Sequence, residues 1–338
     1  IVNKYQLNTL DASYHIYPQK NTGRLLNKYA VGTAVFELPF FLMAHAWCLI
    51  TNDYPADGYS TPYRVMVVFS IWAWVMAGLY ALSRFLLRFY SQWVTAITII
   101  LILFATNLYF YTVFAIGMSH PFSFALFCFL LHQTERLYAT RHSRYIIYMA
   151  VTLGLILIAR PTNILVVLVP LLWPYGNAIN GKWQFWLQKK WHLLAGAFIF
   201  TAICMLQFGY LKYTTGHWLH FSYEQEGFNF LQPQLYKGLF SYAKGWFVYT
   251  PLAFIICLAL IPYYRHNRTL AIPVIVFTVL NIYIVFSWST WYYGGGFSAR
   301  ALIEGTAILS LPLAWVVQWV LSTKKPVRVL AFVVWALC

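Results

Sequence analysis

Apolar residues in this chain come in long runs, not in the alternation of a half-buried strand or the one-sided stripe of a soluble helix. The runs fall at roughly 29–50, 63–83, 93–112, 120–134, 145–159, 161–175, 192–211, 247–263, 270–287 and 301–321, with the start of another at 329. Such runs predict helices, because hydrocarbon offers no partner for backbone N–H and C=O groups and a helix satisfies them internally. The pattern predicts an all-α fold, a polytopic transmembrane helical bundle of about ten to eleven hydrophobic segments. Two runs, 145–159 and 161–175, fall short of the roughly 20 residues that a span needs. Arg160-Pro161-Thr162-Asn163 separates them, and the proline predicts either one broken helix or a short hairpin. Residues 1–28 read as the end of an external loop, and 29–338 as a single transmembrane helical domain. Its longest polar connection, 212–246, is aromatic enough to lie on the membrane surface as an external lid or binding loop. The chain opens on Ile1 and stops inside an apolar run at Cys338, so it is expected to be part of a longer protein.

Charge sharpens this reading. Charged residues make up only 9% of the chain, against roughly a quarter in a soluble domain. The net charge of +15 would suit nucleic acid as a partner, but the basic residues sit in short clusters between the apolar runs, which excludes that reading. The clusters are Arg84 and Arg88; Arg136, Arg141 and Arg144; Lys182, Lys189 and Lys190; Arg265 and Arg268; and Lys324, Lys325 and Arg328. Cations favour the cytoplasmic side of spanning helices, which leaves 51–62, 113–119, 212–246 and 288–300 on the opposite side. These loops are rich in Tyr, Trp, Gly and His, and any chemistry is expected there. A full span over 29–50 would then put 1–28 on the cytoplasmic side. Keeping both 1–28 and 51–62 outside requires a re-entrant 29–50 or a change of parity near Arg160. The five cysteines are scattered and none pairs at metal-site spacing, so they read as small apolar packing residues.

Several polar residues stand where they cost most. Arg160 is flanked by apolar sequence on both sides, and a charge there normally faces a partner or a wet cavity. Lys28 and Tyr29 open the first run, where the ammonium either snorkels or orients an anion. His120, in Ser119-His120-Pro121, is a candidate for proton transfer or hydrogen bonding, with Ser119 expected to cap the next helix. Lys244 precedes Gly245-Trp246. Trp291, Tyr292 and Tyr293 lead through Gly294-Gly295-Gly296 to Arg300, whose expected anionic partner is either a lipid phosphate or Glu304 at i,i+4. Glu37 lies inside the first run and is expected to be protonated, paired or cavity-lining. Asp53, Asp57, Glu224 and Glu226 read as solvated, although one of the two glutamates can hold a substrate hydroxyl. His45 alone lies well inside a run, which argues against haem held between helices.

Taken together, Asn27-Lys28-Tyr29 with Gly32 and Pro39-Phe40-Phe41, Asp57-Gly58-Tyr59-Ser60 with Pro62-Tyr63, Ser119-His120, Arg160-Pro161-Thr162-Asn163, Lys244-Gly245-Trp246 to Pro251, and Trp291 to Arg300 resemble the GT-C superfamily of membrane glycosyltransferases. The likeness is greatest to bacterial dolichyl-phosphate-mannose-protein mannosyltransferase-like proteins, and it covers nearly the whole chain. The resemblance implies a multi-pass enzyme of the bacterial inner membrane. It would transfer a sugar with inversion from a polyprenyl-phosphate-linked donor to an acceptor on the non-cytoplasmic face. It also implies an acidic base or metal ligand, with a divalent cation as a possible cofactor, in a loop after a first helix. That acid is expected upstream of Ile1, with Asp11 a weak candidate. Lys28 matches a basic position after that loop. Arg160, Arg300, Lys244 and Lys28 would bind the donor phosphate, and Trp291, Tyr292, Tyr293 and Trp246 would stack on sugar and isoprenoid. The alternatives are a non-catalytic membrane subunit of a larger assembly and a transporter of lipid-linked saccharide.

Overall fold

The computed structural model describes residues 15–19, 21–175, 179–223 and 226–323; Asp11, Glu224 and the run from 329 lie outside the described residues. Among the described residues fourteen helices follow a short β-hairpin of β1 (Ile16–Pro18) and β2 (Leu25–Asn27). They are α1 (Gly32–Thr51), α2 (Thr61–Leu86), α3 (Gln92–Phe104), α4 (Leu108–Val113), α5 (Ser119–Thr140), α6 (Arg144–Ala159) and α7 (Leu168–Leu172). Then come α8 (Ile179–Gln188), α9 (Lys190–Thr215), α10 (Leu235–Phe240), α11 (Trp246–Tyr249), α12 (Pro251–His266), α13 (Arg268–Phe286) and α14 (Ser310–Ser322). Tighter 3-10 turns cover Pro161–Val167, Arg300–Leu302 and Glu304–Thr306.

The chain is mostly helical, but fewer helices qualify as spans than the ten to eleven expected. Among the described residues four are long and apolar enough to cross a membrane, namely α1, α2, α9 and α13, with a fifth if Arg300–Thr306 and Ser310–Ser322, bent by 65°, count as one. Local polar chemistry explains the shortfall. The run at 93–112 stops at Thr106, whose hydroxyl bonds the Ile102 carbonyl and accepts from the Leu108 N–H. The run at 247–263 divides at Thr250 into α11 and α12. The α5 helix is long enough, but His132, Gln133, Glu135 and Arg136 fall in its second half. Pro161 sends the chain from α6 into a 3-10 turn. The loop expected at 212–246 starts later, because α9 continues to Thr215 and ends on Gly216 in the left-handed conformation, a stop signal legible in the sequence. Of the candidate spans, α9 has only 11% of its most apolar window buried, and large apolar side chains such as Leu194 and Phe198 stand exposed along it. An apolar surface of that extent suits hydrocarbon.

Close approaches fix how the helices lie. A Cβ on Gly78 would sit 2.6 Å from the Ala125 Cα, and Arg88 Nε lies 3.0 Å from Glu135 Oε1, so α2 and α5 run parallel in one register. Gly196 abuts Ala150 and Gly154 abuts Ile203, so α6 and α9 are also parallel. Gly32 packs directly on the backbone of Ala159, which brings the start of α1 to the end of α6. The α1 helix runs antiparallel to α2, with rings paired at Phe36–Trp74, Phe40–Phe69 and Phe41–Tyr63. Because α5 starts level with the middle of α2, the α1–α2 hairpin extends past the N-terminus of α5. Its tip has a small core of its own, made of Ala44, Cys48 and Tyr63. The start of α1 therefore lies at the level of His120 and Arg160, and the helix runs from there toward the N-terminal end of α2.

Candidate functional site

The candidate site lies where the starts of α1 and α5, the end of α6 and the segment 287–306 come together. The β-hairpin delivers Lys28. It is stapled to the end of α9, with Asn27 N–H donating to the Tyr210 hydroxyl at 2.8 Å, Arg24 reaching the Tyr213 carbonyl at 2.6 Å, and Thr22 bonded to the Thr214 carbonyl. Lys28 Nζ then meets Glu226 Oε1 at 2.5 Å and lies 4.7 Å from the Tyr223 ring centroid. The other oxygen of Glu226 accepts from Trp288 Nε1 at 3.0 Å and Thr290 Oγ1 at 2.7 Å. A backbone bridge between Phe228 and Trp288 holds the loop carrying Glu226 to the segment after α13.

A second, deeper group surrounds Glu304, whose side chain is 2% exposed. Its Oε1 accepts from Asn163 Nδ2 at 3.1 Å and lies 3.1 Å from His120 Nδ1 and 3.8 Å from Arg160 Nη1. Arg160 Nη1 is also 2.9 Å from His120 Nε2. The same nitrogen lies 2.8 Å from His120 Nδ1; with the Nδ1 proton donated to Glu304, the Arg160 hydrogen bond falls to Nε2, and Glu304 Oε2 stays buried without a partner among the described residues. The Arg160 side chain remains 20% exposed. Ser119 does not cap α5 as expected; Met118 holds the cap position with no side-chain bond. His120 is held instead by Glu304 and by an edge contact with the Tyr111 ring.

Arg300 is the third element. Its Nη1 touches Met118 Sδ at 3.3 Å, and its Nε is buried without a partner among the described residues. The expected Arg300–Glu304 pair does not form, since Glu304 turns to Asn163, His120 and Arg160. A Cβ on Gly296 would collide with the Tyr111 hydroxyl and crowd Arg300, so glycine is required at that approach. Gly294, at φ 69°, makes the turn that sets it up.

The groups act on one another. Burial pushes the Tyr293 phenol up to about 12, while Arg160 and Arg300 pull it back. Burial raises Tyr223 as well, opposed by Arg160 and Lys28. Burial, then the neighbouring charge of Arg300, holds Lys244 below the ordinary lysine value. Lys28 is raised: burial works against its charge, but the bond to Glu226 and its charge outweigh burial. Glu226 is correspondingly lowered, because the bonds from Lys28, Thr290 and Trp288 overcome burial.

Lys28, Tyr29, His120, Arg160, Lys244, Tyr293 and Arg300 therefore gather as one cluster. Trp291 and Tyr292 stand beside it as an edge-to-face pair 5.8 Å apart, with Tyr292 exposed; among the described residues neither is bonded to the cations. Glu226 and Glu304 are the residues that sequence reasoning undervalued. The first read as solvated and the second as a helical neighbour of Arg300. Glu37 Oε1 is buried with no partner among the described residues. Among the described residues no three His, Cys, Asp or Glu side chains converge as a metal site.

No family model, no curated protein and no solved structure matches the chain.

Proposed function

We propose that this chain is a GT-C-like membrane glycosyltransferase of the bacterial inner membrane, built as a multi-pass bundle. It takes a sugar from a polyprenyl-phosphate-linked donor and passes it, with inversion, to an acceptor on the non-cytoplasmic face. The observation that carries this reading is Arg300: a guanidinium with a buried, unpartnered Nε, close to Arg160 and Lys244 and paired with no carboxylate among the described residues. A buried cation without a counter-ion is costly unless a ligand supplies the charge. A phosphate leaving group supplies it, and donors preset around its developing charge lower the barrier to transfer. The Tyr223 and Tyr293 rings would wall the sugar side, and Glu226 offers a partly exposed carboxylate to an acceptor hydroxyl.

The test is transfer of a labelled sugar from a polyprenyl-phosphate donor in membranes carrying Arg300→Ala, Arg160→Ala or Arg300→Lys. The expected result is loss of transfer in both alanine variants, with partial recovery in Arg300→Lys and unchanged protein levels. Full activity in both alanine variants overturns the reading.

A further inference from the structure

Away from the charged cluster, α6, α7, α8 and α9 enclose an apolar groove of about 200 Å³. It is lined by Ile146, Met149 and Leu153 on one side, Val167 and Pro170 on another, and Leu193 with Ala197 on the third. The lining spans eight residues of α6, from 146 to 153, which is roughly 10 Å along the helix axis. That length suits one segment of a hydrocarbon chain. The α9 wall is among the most exposed apolar surfaces of the molecule, so the groove opens toward the surface that suits lipid.

One end of the groove is strongly basic. Because α6 and α9 are parallel, with Gly196 beside Ala150 and Gly154 beside Ile203, their N-termini lie together. This register brings Lys189 and Lys190 within about one helical turn of the level of Arg141 and Arg144. Lys182 reaches the same end, its Nζ donating to the Leu171 carbonyl at 2.6 Å and the Trp173 carbonyl at 2.8 Å. No Asp or Glu occurs anywhere from Arg136 to Tyr223. Among the described residues Arg141, Arg144, Lys182, Lys189 and Lys190 form no salt bridge; Arg141, Arg144, Lys182 and Lys190 meet aromatic faces instead, and Lys182 also meets carbonyls. Trp186, at the mouth, is the residue type that favours the headgroup layer.

We infer that this groove is a binding site for one anionic glycerophospholipid, with an acyl chain along α6 and α9 and the phosphate headgroup among Arg144, Lys189 and Lys190. Basic residues at a membrane surface attract anionic headgroups and distinguish poorly between zwitterionic ones. The apolar groove turns that diffuse attraction into a defined place. The inference rests on the membrane embedding of the apolar helices and not on the chemistry proposed for the charged cluster.

The experiment is native mass spectrometry of the full chain, released from nanodiscs of equal parts dioleoyl-phosphatidylglycerol and dioleoyl-phosphatidylcholine. The expected result is one retained phosphatidylglycerol per chain. Lys189→Gln with Lys190→Gln should weaken its retention by roughly fivefold per cation removed. Ala197→Trp, which fills the groove from its exposed side and keeps every charge, should abolish retention of either lipid. Equal retention of both lipids by the wild type overturns the inference in favour of a groove open to any acyl chain. Absence of retained lipid overturns it outright, as does an unchanged preference in the lysine variant. Thermal unfolding of each variant, with and without added phosphatidylglycerol, separates lost binding from lost folding. A folded variant that phosphatidylglycerol no longer stabilises supports the site.

Discussion

Around the N-terminus of α5 the cations are drawn inside, where Arg160 meets Glu304 and His120, Lys28 meets Glu226, and Arg300 leaves a nitrogen unpartnered. Around the C-terminus of α5 and the N-termini of α6 and α9, Arg141, Arg144 and Lys190 stay exposed and rest on rings. The residue types are the same and the physics differs. An exposed cation keeps its water and loses little, so it can mark a membrane side at small cost. A buried one has lost its water, and the chain must supply partners or leave the place to a ligand. Burial therefore separates anchors from chemistry within one strongly basic protein.

The most severe way to test the contrast is Glu304→Leu. It removes the carboxylate shared by Asn163, His120 and Arg160, and it should cost about 3–5 kcal/mol in thermal or denaturant unfolding, together with all transfer activity. A variant as stable as the parent would show that the buried end is not held by charge. Next comes Arg300→Ala, expected to cut transfer by roughly 10²- to 10³-fold while the melting temperature moves little. Glu226→Gln is milder, at about 1–2 kcal/mol near neutral pH. The sign follows from the lowered carboxyl. The native pair is fully present above the ordinary glutamate value of 4.5 and is lost as pH falls through the depressed one. The stability difference between parent and variant should therefore vanish in acid below that range. Lys244 gives a smaller, graded effect of a few-fold. Its lowered pKa means that affinity for inorganic phosphate should decline with rising pH before an ordinary lysine would titrate, and Lys244→Arg should flatten that decline. Arg84→Gln, an exposed cation of the basic end, should change stability by less than about 0.5 kcal/mol and transfer by less than twofold.

Much of this contrast was legible in the chain. A charge inside apolar sequence is expensive wherever it sits, so Arg160 announced itself, as did the basic clusters between runs. The partner of Arg160 did not. Read as an α-helix, Arg300 and Glu304 lie about 40° apart on one face. In the 3-10 turns that form there, three residues make a turn, so the same two positions diverge by about 120°. Glu304 thus faces α5 and the Arg160 break. Glu226 was invisible for another reason: its three partners come from residues 28, 288 and 290, and no local pattern encodes a meeting at that distance in sequence. The number of spans failed on short polar interruptions such as Thr106, whose effect on a helix depends on which carbonyl the hydroxyl finds.

The contact of Gly32 with Ala159 acts as a gauge block between two charges. It is backbone against backbone, with no side chain between to rotate, compress or repack. Lys28 stands four residues before one face of that block and Arg160 one residue after the other. The spacing of the two backbone positions that carry these cations is thus set by a contact that cannot compress, and it changes only if whole helices slide. The proposed donor phosphate would meet a caliper whose frame is fixed and whose jaws are the two side chains alone.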